Sequence, residues 1–158
     1  MPLNFDKHAQ KGNLFLKELA EELGNKKDTE HAGRILRAVF CTLRNHITVE
    51  ESFQLMAQLP MALKSVYVSG WAPAKKIERK TRKRDDFINE VITADGRSAQ
   101  KDFSRSAYGI DAVEAVFRTM NRYVSAGELD DVKAVLPQEI KELITDSLVE
   151  KKKPIHIK

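Results

Sequence analysis

The stretch that decides the fold is Ala38-Val39-Phe40-Cys41-Thr42-Leu43, because it returns 77 residues later as Ala115-Val116-Phe117-Arg118-Thr119-Met120. The correspondence continues without a gap as far as Lys64 and Lys141. Nine positions of this window are identical, which in the first copy are Ala38, Val39, Phe40, Thr42, Glu51, Ala57, Leu59, Pro60 and Lys64. A weaker correspondence pairs residues 15–19 with 87–91 at an offset of 72. The chain is therefore predicted to be one unit written twice.

Apolar residues within each copy follow the spacing of an amphipathic helix. In the first copy they recur at i, i+3, i+4 and i+7, at Ala32, Ile35, Leu36, Val39, Phe40, Leu43 and Ile47. The second copy repeats this face from Gly109 to Val124. This period indicates one helix face turned toward a core. Thr29 and Ser106 are the predicted N-caps, because a hydroxyl there can accept an otherwise unpaired backbone N–H.

Further helix boundaries come from capping and proline signals. Thr48 with Glu51, and Ser125 with Glu128, have the spacing of capping boxes, in which the hydroxyl bonds forward and the carboxylate bonds back. Leu-Pro at Pro60 and Pro137 marks sharp corners, since proline lacks the N–H that a helix interior needs. The predicted helices are residues 8–23, 30–46, 49–59, 61–68, 85–94, 107–123, 126–136 and 138–149.

The fold class that follows is all-α, with two tandem four-helix repeats packed face to face as one pseudo-symmetric helical domain. Neither repeat buries enough apolar surface to be stable alone, because short amphipathic helices need a partner surface. The predicted organisation is a first repeat at 1–72, a basic linker at 73–84, a second repeat at 85–149 and a basic tail at 150–158.

Composition narrows the class of protein. The 158 residues are 42% hydrophobic and 32% charged, which is typical of a folded, soluble domain. A single cysteine excludes intrachain disulfides and multi-cysteine zinc sites, so the cytoplasm is the expected compartment. No apolar stretch is long enough to span a bilayer, and residues 1–6 do not resemble a targeting segment.

A family resemblance rests on several of these features together. They are the run from Ile35 to Phe40, the two Leu-Pro corners, Gly70-Trp71, and Gly127-Glu128-Leu129-Asp130-Asp131. With this pattern, which extends from about residue 8 to 148, the chain resembles the bacterial domain-of-unknown-function 2267 family. The resemblance implies an all-helical bacterial protein with no assigned activity, cofactor or partner, and it transfers no functional residue.

Charge is concentrated in one segment, which we call the basic segment, residues 75–84. Seven bases stand there against the single acid Glu78, whereas the rest of the chain outside the tail lysines has a net charge of −6. Such a run could bind phosphates of nucleic acid or an anionic surface, with Trp71 nearby as a stacking group. The alternative, which we favour, is a solvated linker, because no base-reading motif accompanies the run. The candidate anion-binding residues are Lys75, Lys76, Arg79, Lys80, Arg82, Lys83 and Arg84.

Other polar and aromatic residues have structural explanations. The histidines at 8, 31, 46 and 156 have no ligand spacing, His46 is predicted to be a packing residue, and Cys41 is expected at the boundary of the core. The acidic group Glu128, Asp130 and Asp131 could hold a cation, but a capping box and the helix dipole account for it. Trp71, with Tyr67 and Gly70, is expected to close the core rather than line a ligand pocket.

The functional prediction follows mostly by elimination. Motifs for phosphate-cradling loops, serine nucleophile elbows and zinc-binding helices are absent from the sequence, so we expect no catalytic, cofactor-binding or metal-binding residue. The leading hypothesis is a non-enzymatic module that binds a protein partner or itself. The second hypothesis is a binder of nucleic acid or an anionic surface through the basic segment, and a third, weaker one is an enzyme whose site lies between the repeats.

Overall fold

The computed structural model of the protein describes residues 3–75, 81–103 and 106–149. Over those ranges the chain is all-helical and contains no strand. The first half contains α1 (Asp6–Glu22), α2 (Thr29–Leu43), α3 (Val49–Gln58) and α4 (Met61–Val68). The second half contains α5 (Arg84–Ala94), α6 (Ala99–Asp102), α7 (Ser106–Met120), α8 (Ala126–Ala134) and α9 (Gln138–Leu148).

Eight of these helices correspond to the predicted ones, with differences at their ends. The N-cap of α2 is Asp28, whose side chain accepts from His31 N at 3.1 Å, so the prediction of Thr29 was wrong by one residue. The aspartate carboxylate already satisfies the donor that the Thr29 hydroxyl was expected to bind. Helix α2 also ends before the predicted residue 46, since the N–H of His46 bonds three residues back to Leu43 O and closes a turn. The one-turn helix α6 was not predicted.

The core is built from the apolar faces that the sequence marks. Phe15, Phe40, Phe87 and Phe117 are all fully buried. Burial of each such ring contributes about 1.5–3 kcal/mol relative to an exposed ring. Helix α2 packs on α1, α5 and α7, and α7 packs on α9, so the central helices of both halves share one core. Helix α3 contacts α8, which brings the two capping sequences together.

The residues after α4 close one end of this core. Trp71 is partly buried, and its ring meets that of Tyr67 edge-on with centroids 5.8 Å apart. Tyr67 is fully buried, and its hydroxyl is 2.7 Å from Ser52 Oγ. This packing agrees with the expected role of Trp71 as a cover for the core. Among the described residues, no helix has the length and apolar character needed to cross a membrane.

Candidate functional site

Three carboxylates gather where α3 packs on α8. One oxygen from each of Glu51, Glu128 and Asp131 lies within 4.8 Å of the other two. Helix α8 places Glu128 and Asp131 three residues apart, which puts them on the same face, and α3 supplies Glu51 from the facing helix. Glu51 and Glu128 are 9% and 6% exposed, so two of the three groups lie at the edge of the core.

The local fold explains why these glutamates do not bind their own helix ends. The forward halves of both predicted capping boxes are present, because Thr48 Oγ1 accepts from Glu51 N at 3.1 Å and Ser125 Oγ accepts from Glu128 N at 3.2 Å. The return bond predicted in α8, from Ser125 N to the Glu128 carboxylate, is wrong. Ser125 N donates instead to Gln58 Oε1 at 2.7 Å. An amide from α3 thereby takes the place of the Glu128 carboxylate, which is left to face Glu51.

The buried carboxylates lack donors. Oε1 of Glu51 and Oε1 of Glu128 are both buried without a hydrogen-bond partner among the described residues. Burial, together with the neighbouring Glu51 and Asp131 carboxylates, raises the pKa of Glu128 to about 7. Two carboxylates can bond to each other only when one of them holds a proton. The described protein groups therefore supply neither a donor nor a positive charge to these two oxygens.

The predicted acidic group of α8 is divided by the structure. The Asp130 side chain is 71% exposed and pairs with Lys133 at 3.2 Å. It is therefore not part of the cluster. Glu51, which the sequence analysis treated only as a cap, takes its place. One signal was present in the sequence, because Glu51 and Glu128 are identical residues 77 positions apart in the ungapped sequence correspondence.

A second feature is an exposed apolar patch, defined here as Phe53, Val68 and Trp71. The ring of Phe53 on α3 lies 5.9 Å from that of Trp71 and is 59% exposed. Val68 at the end of α4 is 45% exposed, and its carbonyl accepts from Trp71 N. The ring contact joins Phe53 and Trp71 into one apolar surface, and the backbone bond holds Val68 next to Trp71 in the chain.

The basic segment is only partly within the described residues. Positions 76–80, with Lys76, Arg79 and Lys80, lie outside them, as does the side chain of Lys75. Arg82, Lys83 and Arg84 are exposed. Arg84 begins α5, one residue earlier than predicted, and its Nε is 3.5 Å from Asp85. Its backbone N–H also bonds Glu139 at 3.4 Å, so this end of the segment adjoins acidic residues.

His46 and Cys41 lie near their predicted environments. The His46 side chain is 3% exposed, and its Nε2 is 2.5 Å from Glu90 Oε2. Its ring packs against Phe87 with centroids 5.5 Å apart, as a packing residue would. Cys41 is a free thiol of intermediate burial, in keeping with the boundary position expected of it.

A polar cluster at α6 joins the two halves. Arg34 binds Asp102 through two bonds of 3.0 Å each. Burial disfavours the Asp102 carboxylate, but hydrogen bonds from Arg34 and Asp95 outweigh burial and lower its pKa. Burial and the contact with Asp102 raise the pKa of Asp95 to about 7. Arg34 neutralises Asp102, so this cluster joins the two halves, although Asp95 Oδ2 is buried without a hydrogen-bond partner among the described residues.

A groove of about 600 Å³ lies between α1 and the loop before α2, and its lining includes Leu14, Lys17 and Glu18. Glu18 already bonds Tyr123 Oη at 2.8 Å and Arg122 at 3.3 Å. The lining of the groove contains both lysines and glutamates, so its charge favours neither an anion nor a cation.

Over the described residues the protein is all-helical, and its candidate sites are the carboxylate cluster and the exposed apolar patch. The chain belongs to the family described as Uncharacterized conserved protein (DUF2267), whose model matches residues 12–143. No curated protein matches it.

Proposed function

We propose that this protein is a non-enzymatic interaction module, built of two four-helix units related by a pseudo-two-fold axis, that associates with a second copy of itself through the apolar patch. The exposure of Phe53 beside Trp71 carries the proposal. The sequence, which lacks the motifs of known enzyme sites, supports its non-enzymatic part.

Matched contacts between the halves support the two-unit arrangement. Tyr123 of the second half bonds Glu18 of the first, and its ring packs on that of Phe15 with centroids 5.1 Å apart. Conversely, His46 of the first half bonds Glu90 of the second and packs on Phe87. His46 and Tyr123 are equivalent in the repeat, and so are Glu18 and Glu90. Two such reciprocal contacts are what an isologous interface produces.

The chain around Phe53 carries no charge, and the nearby Arg44 guanidinium on the Val68 side is bonded to the carbonyls of Tyr67 and Ser69. Residues 52–63 contain no charged side chain, whereas the equivalent residues 129–140 contain four. Asp130 is the equivalent of Phe53, and both are exposed. The equivalent position of the second unit is therefore charged, and burial in the core does not explain the phenylalanine of the first unit, which is 59% exposed. An exposed aromatic that the fold does not require is typical of an interaction surface.

A second copy of the chain is the occupant that this surface favours. In a two-fold dimer each patch meets an identical patch, so any charge on it faces its own like charge. An uncharged face avoids that repulsion, while the apolar rings gain from being removed from water. A basic or acidic partner would gain nothing from residues 52–63.

Sedimentation velocity over about two decades of protein concentration tests the proposal. We expect the wild type to form a dimer and Phe53→Asp, which copies the residue of the second unit, to weaken dimerisation about tenfold or more. Leu14→Asp is the matched control, because Leu14 is 53% exposed on α1 and lies outside the patch. A monomeric wild type, or a Phe53→Asp variant that dimerises like the wild type, would overturn the proposal.

Binding of nucleic acid or an anionic surface through the basic segment is the second candidate function. The exposure of Arg82 and Lys83 supports it, while Asp85 and Glu139 next to Arg84 weigh against it. We also propose a cytoplasmic location, which the use of a single cysteine supports.

A further inference from the structure

We propose that Glu51, Glu128 and Asp131 form a binding site for a divalent cation of the size of Ca²⁺, held between α3 and α8. All the ligands that the protein supplies would be carboxylate oxygens, which is the ligand type preferred by hard divalent cations. It is independent of the apolar patch and does not rest on self-association.

The separations of the oxygens fit one ion. Ligands at about 2.4 Å on opposite sides of Ca²⁺ are at most about 4.8 Å apart, and those around Mg²⁺ at most about 4.1 Å. The three oxygens lie within 4.8 Å of one another, so a small inward movement of the side chains would bring all three into contact with one ion. The flexible coordination of Ca²⁺ also tolerates a partly open site, in which water supplies the remaining ligands.

The buried oxygens point to a missing positive group. Buried carboxylates are ordinarily paired with a base or hydrogen-bonded, because an uncompensated charge away from water is costly. Oε1 of Glu51 and of Glu128 have neither, and no Lys, Arg or His of the described chain forms an ion pair with Glu51, Glu128 or Asp131. A divalent cation would compensate the three carboxylates at once.

The exposure of the third ligand provides access. Asp131 is exposed, whereas the two glutamates are at least nine-tenths buried. An ion could therefore reach the site from solvent at Asp131 and complete its coordination against Glu51 and Glu128. Because α3 and α8 come from different halves of the chain, bound cation would hold the halves together and stabilise the whole fold.

The test uses the full chain stripped with a chelator, titrated with CaCl₂ or MgCl₂ by calorimetry, and followed by thermal unfolding. We expect one Ca²⁺ per chain, with a Kd of about 10⁻⁴ to 10⁻³ M and weaker binding of Mg²⁺. At about ten times Kd the folding equilibrium constant should rise about tenfold, which raises Tm by about 3–6 °C.

Substitutions distinguish Ca²⁺ binding at this site from non-specific binding to other acidic side chains. Glu51→Gln and Glu128→Gln should each weaken Ca²⁺ binding about tenfold or more, since each removes one charged ligand. Asp130→Asn is the matched control, because it removes the same charge from the same helix at a residue that pairs with Lys133, and it should bind like the wild type. Phe53→Asp should also retain binding, which distinguishes this inference from the proposed dimer.

Two results would overturn the inference. One is the absence of saturable Ca²⁺ binding by the wild type up to about 10 mM, well above the expected range. The other is undiminished binding by Glu51→Gln and Glu128→Gln variants that keep wild-type helicity in circular dichroism. If Ca²⁺ does not bind and Glu128→Gln is more stable than the wild type, the two glutamates share a proton instead of an ion.

Discussion

Glu51 and Glu128 stand 77 residues apart, at equivalent positions of the repeat, and their carboxylates face each other where α3 packs on α8. Neither side chain returns to its own N-cap, although both backbone N–H groups are capped by the expected hydroxyls. A small change in local capping thus creates a buried acidic contact between the halves. The consequences for stability can be measured directly.

Stability of the metal-free protein should fall as pH rises from about 5 to 8. The pKa of Glu128 is raised to about 7, above its ordinary value of 4.5, so the folded state holds a proton that the unfolded state has released. The stabilisation is fully present below pH 4.5 and is lost as pH rises through about 7. Chemical unfolding in the presence of chelator at several pH values measures this fall.

Glu128→Gln should reduce that fall and raise the free energy of unfolding at pH 8 by about 1–2 kcal/mol, because the amide donates to Glu51 without a proton. Asp130→Asn changes an exposed residue outside the cluster and should leave the pH profile as in the wild type. A Glu128→Gln profile parallel to that of the wild type would show that the glutamate pair does not cause the fall.

Two glycines should respond oppositely to substitution by alanine. A Cβ on Gly12 would lie 2.5 Å from Ala62 Cβ, so Gly12→Ala must push α1 from α4 and should cost about 1–3 kcal/mol. A Cβ on Gly33 within α2 meets nothing within 4 Å, so Gly33→Ala should stabilise by about 0.5–1 kcal/mol. Urea unfolding measures the change in the free energy of unfolding for both variants. Changes of the same sign would contradict the prediction.

The two halves should unfold in one cooperative transition. Phe40 and Phe117 are both fully buried in a core to which both halves contribute. Phe40→Ala and Phe117→Ala should therefore each cost about 3–5 kcal/mol and shift the same single transition. Calorimetry provides the measurement. A fragment of residues 1–72 that folds alone as a stable monomer would refute the shared core.

The basic segment has a salt-dependent test. If it binds DNA, log affinity should fall against log salt with a slope of about −0.9 for each phosphate contacted. Replacing its seven bases by Gln should then abolish binding without changing the fold. As a plain linker it should bind weakly or not at all, with no difference in the Gln variant. Fluorescence titration of a short duplex at two salt concentrations distinguishes these results, and we expect the second because the rest of the chain is acidic.

Helix positions could be predicted because their causes are local. The apolar spacing from Ala32 to Ile47 marks one face of a helix, and Pro60 and Pro137 stop helices wherever the chain is later packed. Even the forward capping bonds of Thr48 and Ser125 were correct, since donor and acceptor lie three residues apart. The family, too, followed from such short patterns.

By itself, then, the sequence determined the all-helical class and most helix boundaries. Only the tertiary structure decided that Gln58 caps Ser125, that Glu51 replaces Asp130 beside Glu128, and that Phe53 lies exposed against Trp71. Each of these contacts joins residues on different helices. Side-chain direction across such a contact depends on how the helices pack, and the periodicity of a single helix carries no information about its partner.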